Sequence, residues 1–445
     1  MKQIIVPSEK VPIINEVDIC VVGGSCTGVF AAVRAARLGA KVVIVEKQNR
    51  FGGVATNGLV HMWHSIYDTD FNEQIIGGLT YEVMERLEKR NAISQFKNSK
   101  TYAIRLNSEE LTIELDELVL EAKIKPYLHS FFSAPVIENG RVTAVIIQNK
   151  SGRGAVKAKM FIDATGDADL CHLAGLPTYT PAHIQPPTTC ARFANWNVKL
   201  DTNKLIMKHA AEFDLPEGYM WGAPIPPDND VFMLSGTRVA GKNPADGEQL
   251  TFCEMEGRRQ VRAIMDIWRK YVKGKGITLH ALPSQIGIRE SRHIKGICRI
   301  AGNDLLYGKK FSDAIANGTY PVDIHHQYKP GITFKELNGT QHYCRPGKAA
   351  VVSRWRKKTA DCPKYYQIPL RSLIPQNSKN VIAAGRMLDA DREAFGAVRV
   401  MVNLNQTGEA AGVAAWHALI SGLEIAQVNP RNVRKTLAAG GSRML

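Results

Sequence analysis

The sequence predicts an α/β fold built on a parallel β-sheet, and three features predict it. A strand–helix–strand unit lies near the N-terminus, a series of short apolar strands follows between residues 127 and 164, and an apolar strand with a long alanine-rich helix lies near the C-terminus. Of the 445 residues, 44% are hydrophobic and 22% are charged, which is the balance of an ordinary globular protein. This composition excludes an intrinsically disordered chain, and the length favours more than one domain.

The N-terminal unit has the pattern of two parallel strands joined by a helix. A β-branched strand over residues 17–22 ends at Gly23-Gly24, an alanine-rich helix is predicted over residues 27–38, and a second strand over residues 41–45 ends at Glu46. Parallel strands need such a crossover, and it is expected to be right-handed.

The next elements are two helices and a set of short, closely spaced strands. One helix is predicted over residues 79–89, and the other begins at residues 107–110, with Ser108 as its N-cap, and runs to residue 123. Strands are predicted over residues 127–131, 134–138, 142–148, 155–159 and 160–164, with Asn139-Gly140 as a hairpin turn.

The composition changes near Pro181, where prolines cluster and the alternation of strands and helices is lost. We therefore expect a first domain over residues 12–180, an inserted substrate or cap region over 181–283 and a mixed segment over 284–364 at the domain junction. The first domain resumes over 365–425, through a strand over 380–384 and a helix over 400–419, and residues 426–445 form a tail.

The turn after the first strand has the spacing of a dinucleotide-binding loop. Gly23-Gly24-Ser25-Cys26-Thr27-Gly28 has glycine at the first and last positions of G-x-G-x-x-G, and Ser25 at the middle one. The following helix offers free N–H groups and the positive end of its dipole to a pyrophosphate, and Glu46 suits the ribose hydroxyls. These residues predict a dinucleotide site but do not separate NAD from FAD.

Further segments resemble a known superfamily. Gly52-Gly53-Val54-Ala55-Thr56 follows Glu46, Thr165-Gly166-Asp167 ends a later strand, and Gly408 to Gly412 lie in the C-terminal helix. Together they resemble the FAD-dependent oxidoreductases that have a glutathione-reductase-like FAD-binding domain. The resemblance implies a Rossmann-type domain with a parallel sheet and a β-meander, an inserted α+β substrate domain, and FAD as the cofactor.

Other segments resemble one particular family within this superfamily. Residues 288–292, 311–316, 320–325, 367–373 and 397–401 are similar to segments of a bacterial FAD-dependent oxidoreductase family, some of whose members carry the label "xanthan lyase". The similarity extends over about residues 12–425, and the main departure is Ser25 and its neighbours, where relatives commonly have G-G-G-P-A-G. The residues expected to bind FAD are Gly23, Gly24, Ser25, Cys26, Thr27, Gly28, Glu46, Lys47, Gly52, Gly53, Thr56, Thr165, Gly166, Asp167, Gly385, Arg386, Val400 and Met401.

Three residues are candidates for the chemistry of a substrate. Arg289 could hold a carboxylate and His325 could carry a proton, while Arg399, at the start of the C-terminal helix, could place positive charge beside a reduced flavin. Structural alternatives stay open: Arg289 could pair with Glu290, and Arg399 could form an interdomain salt bridge. His64 either lines the pocket or is exposed to solvent.

Cysteine usage bears on redox chemistry and on location. Cys26 lies at a helix N-terminus, a position that lowers a thiol pKa, but without a nearby partner cysteine a space-filling role is favoured. The eight cysteines are scattered and form no C-x-x-C, so neither a disulfide framework nor a metal site is expected. With no apolar span for a membrane and no secretory pattern, we expect a cytoplasmic protein.

These patterns favour an FAD-dependent oxidoreductase that acts on a small organic substrate, such as a sugar-like compound, a hydroxy acid or an unsaturated acid, by hydride transfer at flavin N5. A nucleic-acid-modifying flavoprotein is an alternative because the net charge is +15, but the basic runs are short. A non-enzymatic FAD-binding protein is the second alternative. The sequence indicates neither the electron acceptor nor the oligomeric state.

Overall fold

A computed structural model describes residues 3–4, 8–196, 200–217, 220–227, 230–273 and 276–445. Its helices are α1 (Cys26–Arg37), α2 (Gly78–Lys89), α3 (Ser108–Glu121), α4 (Asp169–Leu173), α5 (Thr202–His209), α6 (Gly247–Tyr271), α7 (Gly302–Leu306), α8 (Arg392–Val398), α9 (Met401–Ser421) and α10 (Pro430–Ala439). Among the helices in these ranges, none is long and apolar enough to cross a membrane.

The strands form one large sheet and several small ones. They are β1 (Ile13–Val22), β2 (Val42–Val45), β3 (Met62–His64), β4 (Ala103–Arg105), β5 (Lys125–Tyr127), β6 (Phe131–Glu138), β7 (Arg141–Asn149), β8 (Gly152–Asp163), β9 (Thr178–Tyr179), β10 (Cys190–Ala194), β11 (Trp221–Pro224), β12 (Val231–Ser235), β13 (Thr278–Ala281), β14 (His293–Ile294), β15 (Ala314–Gly318), β16 (Val322–His325), β17 (Ile332–Lys335), β18 (Thr340–Cys344), β19 (Val351–Arg354), β20 (Tyr366–Pro369) and β21 (Val381–Ala383).

The large sheet combines a parallel part with a β-meander. Its strand order is β5-β2-β1-β8-β7-β6, and β21 pairs with the last residues of β8. Strands β5, β2, β1, β8 and β21 are parallel, with Ile19 opposite Val42, whereas β6, β7 and β8 are antiparallel. The predicted parallel sheet with a meander is therefore confirmed, and its last strand comes from near the other end of the chain.

Several predicted element boundaries were wrong. The two strands expected over 155–164 are a single strand, β8, because its first half pairs with β7 and its residues 155–163 pair with β1. The N-cap of α3 is Asn107, whose Oδ1 accepts from the N–H of Glu109, and Ser108 is already helical. Residues 430–439, expected as part of a tail, form α10, which buries Val433 and Leu437.

Helix α9 packs directly on α1, and two glycines allow this. A Cβ atom at Gly408 would lie 2.1 Å from the carbonyl oxygen of Thr27, and one at Gly412 would lie 2.3 Å from that of Ala31. Atoms cannot approach so closely, so only glycine permits this backbone contact. The packing brings the middle of α9 next to the first turns of α1.

The middle of the chain adds two antiparallel sheets. Strands β11-β12-β10-β13 form one of them, whose outer face packs on α6 through Phe193, Trp196 and Trp268. The other, β16-β17-β18-β19, contacts α8 through β16: a Cβ atom at Gly396 would lie 2.9 Å from the carbonyl oxygen of Asp323. Both sheets contribute residues to one cavity above the carboxyl ends of the parallel strands.

Candidate active site

A cavity of about 450 Å³ lies where the parallel strands end. This is the edge at which open α/β sheets bind their ligands. Most of the residues predicted to bind FAD line it, although they come from five separate segments of the chain: Gly23, Ser25, Cys26, Thr27, Glu46, Lys47, Gly52, Gly53, Thr165, Gly166, Gly385, Arg386, Val400 and Met401.

Four of the predicted residues shape the cavity without lining it. A Cβ atom at Gly28 would lie 2.0 Å from the carbonyl oxygen of Gly23, so this glycine lets α1 approach the turn. The N–H of Gly24 donates to Glu46 Oε2 at 2.6 Å, and Thr56 Oγ1 donates to the carbonyl of Phe51 at 2.6 Å. Asp167 accepts from Arg386 Nη2 at 2.6 Å.

The glycine turn presents a helix N-terminus to the cavity. Ser25 is the N-cap of α1, and its Oγ accepts from the N–H of Gly28 at 3.4 Å. Gly23 has a φ of +105°, a backbone conformation that favours glycine. Glu46, beside the turn, is buried, and burial raises the pKa of its carboxyl group. It accepts two backbone N–H groups, from Gly24 and from Gln48, which fix its position.

Cys26 is a space-filling residue in this turn. It is 3% exposed, and its Sγ donates to the carbonyl of Gly52 at 3.6 Å. Burial raises the pKa of the Cys26 thiol to about 12, against the lowering that its place at a helix N-terminus suggested. Desolvation of the thiolate outweighs the helix dipole here, so a redox role for this thiol is not supported.

The opposite wall of the cavity holds a residue that the sequence analysis missed. Asn405, on the first turn and a half of α9, is fully buried and lines the cavity, and neither side-chain amide atom has a hydrogen-bond partner among the described residues. Arg386 Nε is likewise buried without such a partner. Buried polar groups are normally hydrogen-bonded, so these atoms point to a polar ligand. The helical spacing of Asn405 from Met401 was the available signal.

A cluster of charged and aromatic groups forms the other end of the cavity. Asp323 Oδ2 accepts from Arg399 Nη2 at 2.8 Å and from the Tyr320 hydroxyl at 2.8 Å, and Asp323 Oδ1 lies 3.5 Å from His325 Nε2. Arg399 therefore forms a salt bridge, which was the structural alternative considered for it, and it also lines the cavity. The sequence analysis assigned no role to Asp323 or Tyr320.

Arg289 lines the cavity, and its guanidinium group donates one hydrogen bond among the described residues. Its Nη1 donates to the carbonyl of Pro186 at 2.6 Å, and no carboxylate in the described part of the chain forms an ion pair with it. Glu290 turns away: it accepts from the N–H of Gln185 at 2.7 Å and lies 3.3 Å from His293 Nε2. The Arg289–Glu290 pair considered from sequence is not formed.

The pKa values in this cluster leave His64 and His325 neutral and Arg289 charged at neutral pH. Burial and the neighbouring charge of Arg399 lower the pKa of Arg289 to about 10, which leaves it a cation at neutral pH. Burial and then the charge of Arg289 lower the pKa of His325 to about 4. His64 lies against Tyr320 with ring centroids 4.1 Å apart, and burial lowers its pKa to about 4. His64 lines the cavity, so the solvent-exposed alternative was wrong.

The stability of the fold is expected to fall in mild acid because of His61, which is fully buried behind this cavity. Burial, followed by the charge of Arg192, lowers the pKa of His61 to about 3. In the unfolded chain the pKa of His61 is near 6.5, so below this pH the unfolded chain binds a proton that the folded chain does not bind. The contribution of neutral His61 to the free energy of unfolding is therefore complete above about pH 6.5 and is lost as the pH falls. At pH 5 this amounts to about 2 kcal/mol.

Urea denaturation at pH 7 and pH 5 measures this effect. We expect the loss of unfolding free energy between the two pH values to be smaller by about 2 kcal/mol in His61→Leu than in the wild type. His280→Leu, at an exposed histidine, should lose as much as the wild type. Equal losses in all three proteins would contradict the assigned protonation of His61.

Comparison with known proteins identifies the family. A family model described as FAD dependent oxidoreductase matches residues 18–437. The chain belongs to this FAD-dependent oxidoreductase family. FAD is accordingly its cofactor, as predicted, whereas the "xanthan lyase" label is not confirmed.

Curated relatives of this FAD-dependent oxidoreductase match only part of their own length. A digeranylgeranylglycerophospholipid reductase from Methanoculleus marisnigri is 24% identical over 246 residues, which are 53% of this chain and 58% of the relative. A dihydrolipoyl dehydrogenase from Trypanosoma brucei brucei is 31% identical over 109 residues, 22% of this chain and 23% of the relative. The chain thus matches less than two thirds of each.

A solved structure shares the fold. A geranylgeranyl bacteriochlorophyll reductase-like protein from Thermoplasma acidophilum has a TM-score of 0.50 and 15% sequence identity, with 96% of this chain and 83% of that chain covered. At this level of identity the similarity shows the Rossmann-type fold alone.

The cavity of the FAD-dependent oxidoreductase fits its cofactor. One end has a glycine turn and a helix N-terminus for a pyrophosphate, with the unpartnered Nε of Arg386 nearby. The other end has the N-terminus of α9, which no side chain caps, and the unpartnered amide of Asn405. These are the donors that an anionic dinucleotide with a polar ring system needs.

Proposed function

We propose that this oxidoreductase acts on a small hydroxy acid or unsaturated acid, whose carboxylate Arg289 binds, by hydride transfer at flavin N5. The observation that carries the proposal is the partly buried guanidinium of Arg289, which faces the cavity with one backbone partner and without a carboxylate partner among the described residues. A partly buried cation with unused donors favours an anionic ligand, and a carboxylate matches the planar fork of arginine.

The cofactor would be held by the residues expected from sequence, together with Asn405. Ser25 and the N-terminus of α1 would bind its pyrophosphate, and Glu46 would accept from a ribose hydroxyl. Arg399 and the uncapped N-terminus of α9 would place positive potential at the end of the cavity where negative charge develops on reduction.

The remaining groups of the cluster orient the substrate and move its proton. Arg289 would fix the carboxylate, and neutral His325 would accept a proton from a substrate hydroxyl or return one to a substrate carbon. The aromatic and aliphatic wall formed by Trp221, Ile332 and Phe334 would exclude water from the reacting carbon. Sugar-like substrates fit this arrangement best when they carry an acid group.

The nucleic-acid alternative has less support. Of the basic residues on α6, Arg258 lies 3.1 Å from Glu254, and Arg259 lies 2.7 Å from Glu256. Because acidic partners neutralise these side chains, they do not add to a basic face that would track a phosphate backbone. The name of the reductase relatives favours an unsaturated organic compound over a nucleic acid.

Anaerobic stopped-flow spectroscopy of the FAD-loaded protein tests the proposal. The oxidised form is mixed with lactate, malate, glucuronate, glucose and benzylamine, and the dithionite-reduced form with fumarate, cinnamate and geranic acid, while absorbance is followed at about 450 nm. We expect an acid to bleach or restore the flavin band, and the neutral and amine probes to leave it unchanged. A response to glucose or benzylamine alone would contradict the assignment of Arg289 to a carboxylate.

A further inference from the structure

Asp323 is the one carboxylate that the described residues place inside the charged cluster of the cavity. It lies on β16 and is 4% exposed. Its Oδ2 accepts from two strong donors, the guanidinium of Arg399 and the hydroxyl of Tyr320, each at 2.8 Å. Its Oδ1 has no hydrogen bond within the described structure and lies 3.5 Å from His325 Nε2. One oxygen is therefore fixed, and the other is free for His325.

The backbone around Asp323 is held rigidly. Strand β16 pairs with β17, with Asp323 opposite Phe334. On its other side, the absence of a side chain at Gly396 lets α8 contact the backbone of Asp323 directly. Helix α8 ends at Val398, and Arg399, its C-cap, lies next to the N-terminus of α9. The carboxylate thus connects the strand that carries His325 with the helix junction at the flavin end of the cavity.

We propose that Asp323 is a positioning residue for His325. It accepts the hydrogen on Nε2 and so selects the tautomer whose Nδ1 carries the free lone pair. In the described part of the structure, Nδ1 has no hydrogen-bond partner, and the His325 side chain is 13% exposed to the cavity. A separation of 3.5 Å is long for a hydrogen bond, but such contacts commonly shorten when substrate binds. Nδ1 is then the atom that takes up or returns the substrate proton.

Asp323 also balances the cations that face His325. Arg289 and Arg399 both disfavour a positive imidazole, and Tyr320 and His64, which pack on the same cluster, are neutral at pH 7. The negative charge of Asp323 opposes the two arginines. Burial raises the pKa of the Asp323 carboxyl group, but the charge of Arg399 and the hydrogen-bond donors of His325 and Tyr320 outweigh burial and keep this pKa low. Without this charge, a proton on His325 would have no carboxylate within 4 Å among the residues that the structure describes.

The inference rests on the proposed function, in which His325 moves a proton, and it has a readout that needs no substrate. Protein labelled with ¹⁵N-histidine, with His325 assigned by comparison with His325→Gln, reports the tautomer from its ring nitrogen shifts, with and without FAD. We expect the Nε2–H form in the wild type and in Asp323→Glu. In Asp323→Asn, whose amide can also donate, we expect the Nδ1–H form or a mixture.

Kinetics with the acid selected by stopped flow separate the possible outcomes. Asp323→Asn should lower kcat by about 100-fold or more with little change in KM, because it alters the tautomer and not substrate binding, and Asp323→Glu should recover part of this loss. If His325→Gln is fully active, the role of His325 in the proposed function fails. If His325→Gln is impaired but Asp323→Asn keeps the wild-type tautomer and kcat, the positioning role of Asp323 fails. Bound FAD and circular dichroism identify any variant that does not fold.

Discussion

Arg289→Met is expected to lower kcat/KM for the acid selected by stopped flow by about 100- to 1,000-fold, while FAD remains bound. The guanidinium is partly buried in the cavity, where substrate would desolvate it further, and truncating one partner of a buried charge pair costs about 2–5 kcal/mol. Methionine has a similar length and tolerates an apolar wall, so the fold should be kept. The measurement is steady-state kinetics together with the ratio of flavin to protein absorbance.

Two further variants show that the loss comes from carboxylate binding. Arg289→Lys keeps a positive charge but not the planar fork, so it should retain part of the activity with a raised KM. Arg262→Met, on the exposed face of α6, should be indistinguishable from the wild type. If Arg289→Met keeps full activity towards the acid, the carboxylate is bound elsewhere and the proposed function is wrong.

The parallel part of the fold could be predicted because its signals are local. The strand–turn–helix–strand unit over residues 13–45 specifies its own pairing, and the Asn139-Gly140 turn, with both residues at positive φ, specifies the β6–β7 hairpin. Strand lengths could not be predicted in the same way. β8 is long because it pairs along different parts of its length with β1, β7 and β21, and such partners are not visible in its own sequence.

The glycine-turn end of the cavity could likewise be predicted from sequence, since a glycine turn, a helix start and an acidic residue have a fixed spacing. The charged cluster at the other end could not. Asp323, Arg399 and Arg289 come from three separate segments, and only the packing of α8 on β16 brings the first two into contact. Asn405 was missed because, inside an alanine-rich helix, its helical spacing from Met401 is the one signal that it faces the cavity.

Ser25→Asp is expected to weaken FAD binding by about 100-fold relative to Ser25→Asn, although the two side chains have nearly the same size. Aspartate and asparagine are equally good N-caps, so both variants should keep α1 and its turn intact. Only aspartate adds a negative charge where the pyrophosphate is expected. One unit charge about 5 Å from another costs about 3 kcal/mol at an effective dielectric constant of 20.

The apoprotein provides the control for this comparison. A carboxylate at the N-terminus of α1 interacts favourably with the helix dipole, so apo Ser25→Asp should be at least as stable to heat as apo Ser25→Asn. Titration of each apoprotein with FAD, followed by quenching of flavin fluorescence, then gives the two Kd values. Opposite effects on apoprotein stability and on FAD affinity would locate the pyrophosphate at this turn, because a general disturbance of the fold would reduce both. Equal Kd values would place the phosphates of FAD elsewhere in the cavity.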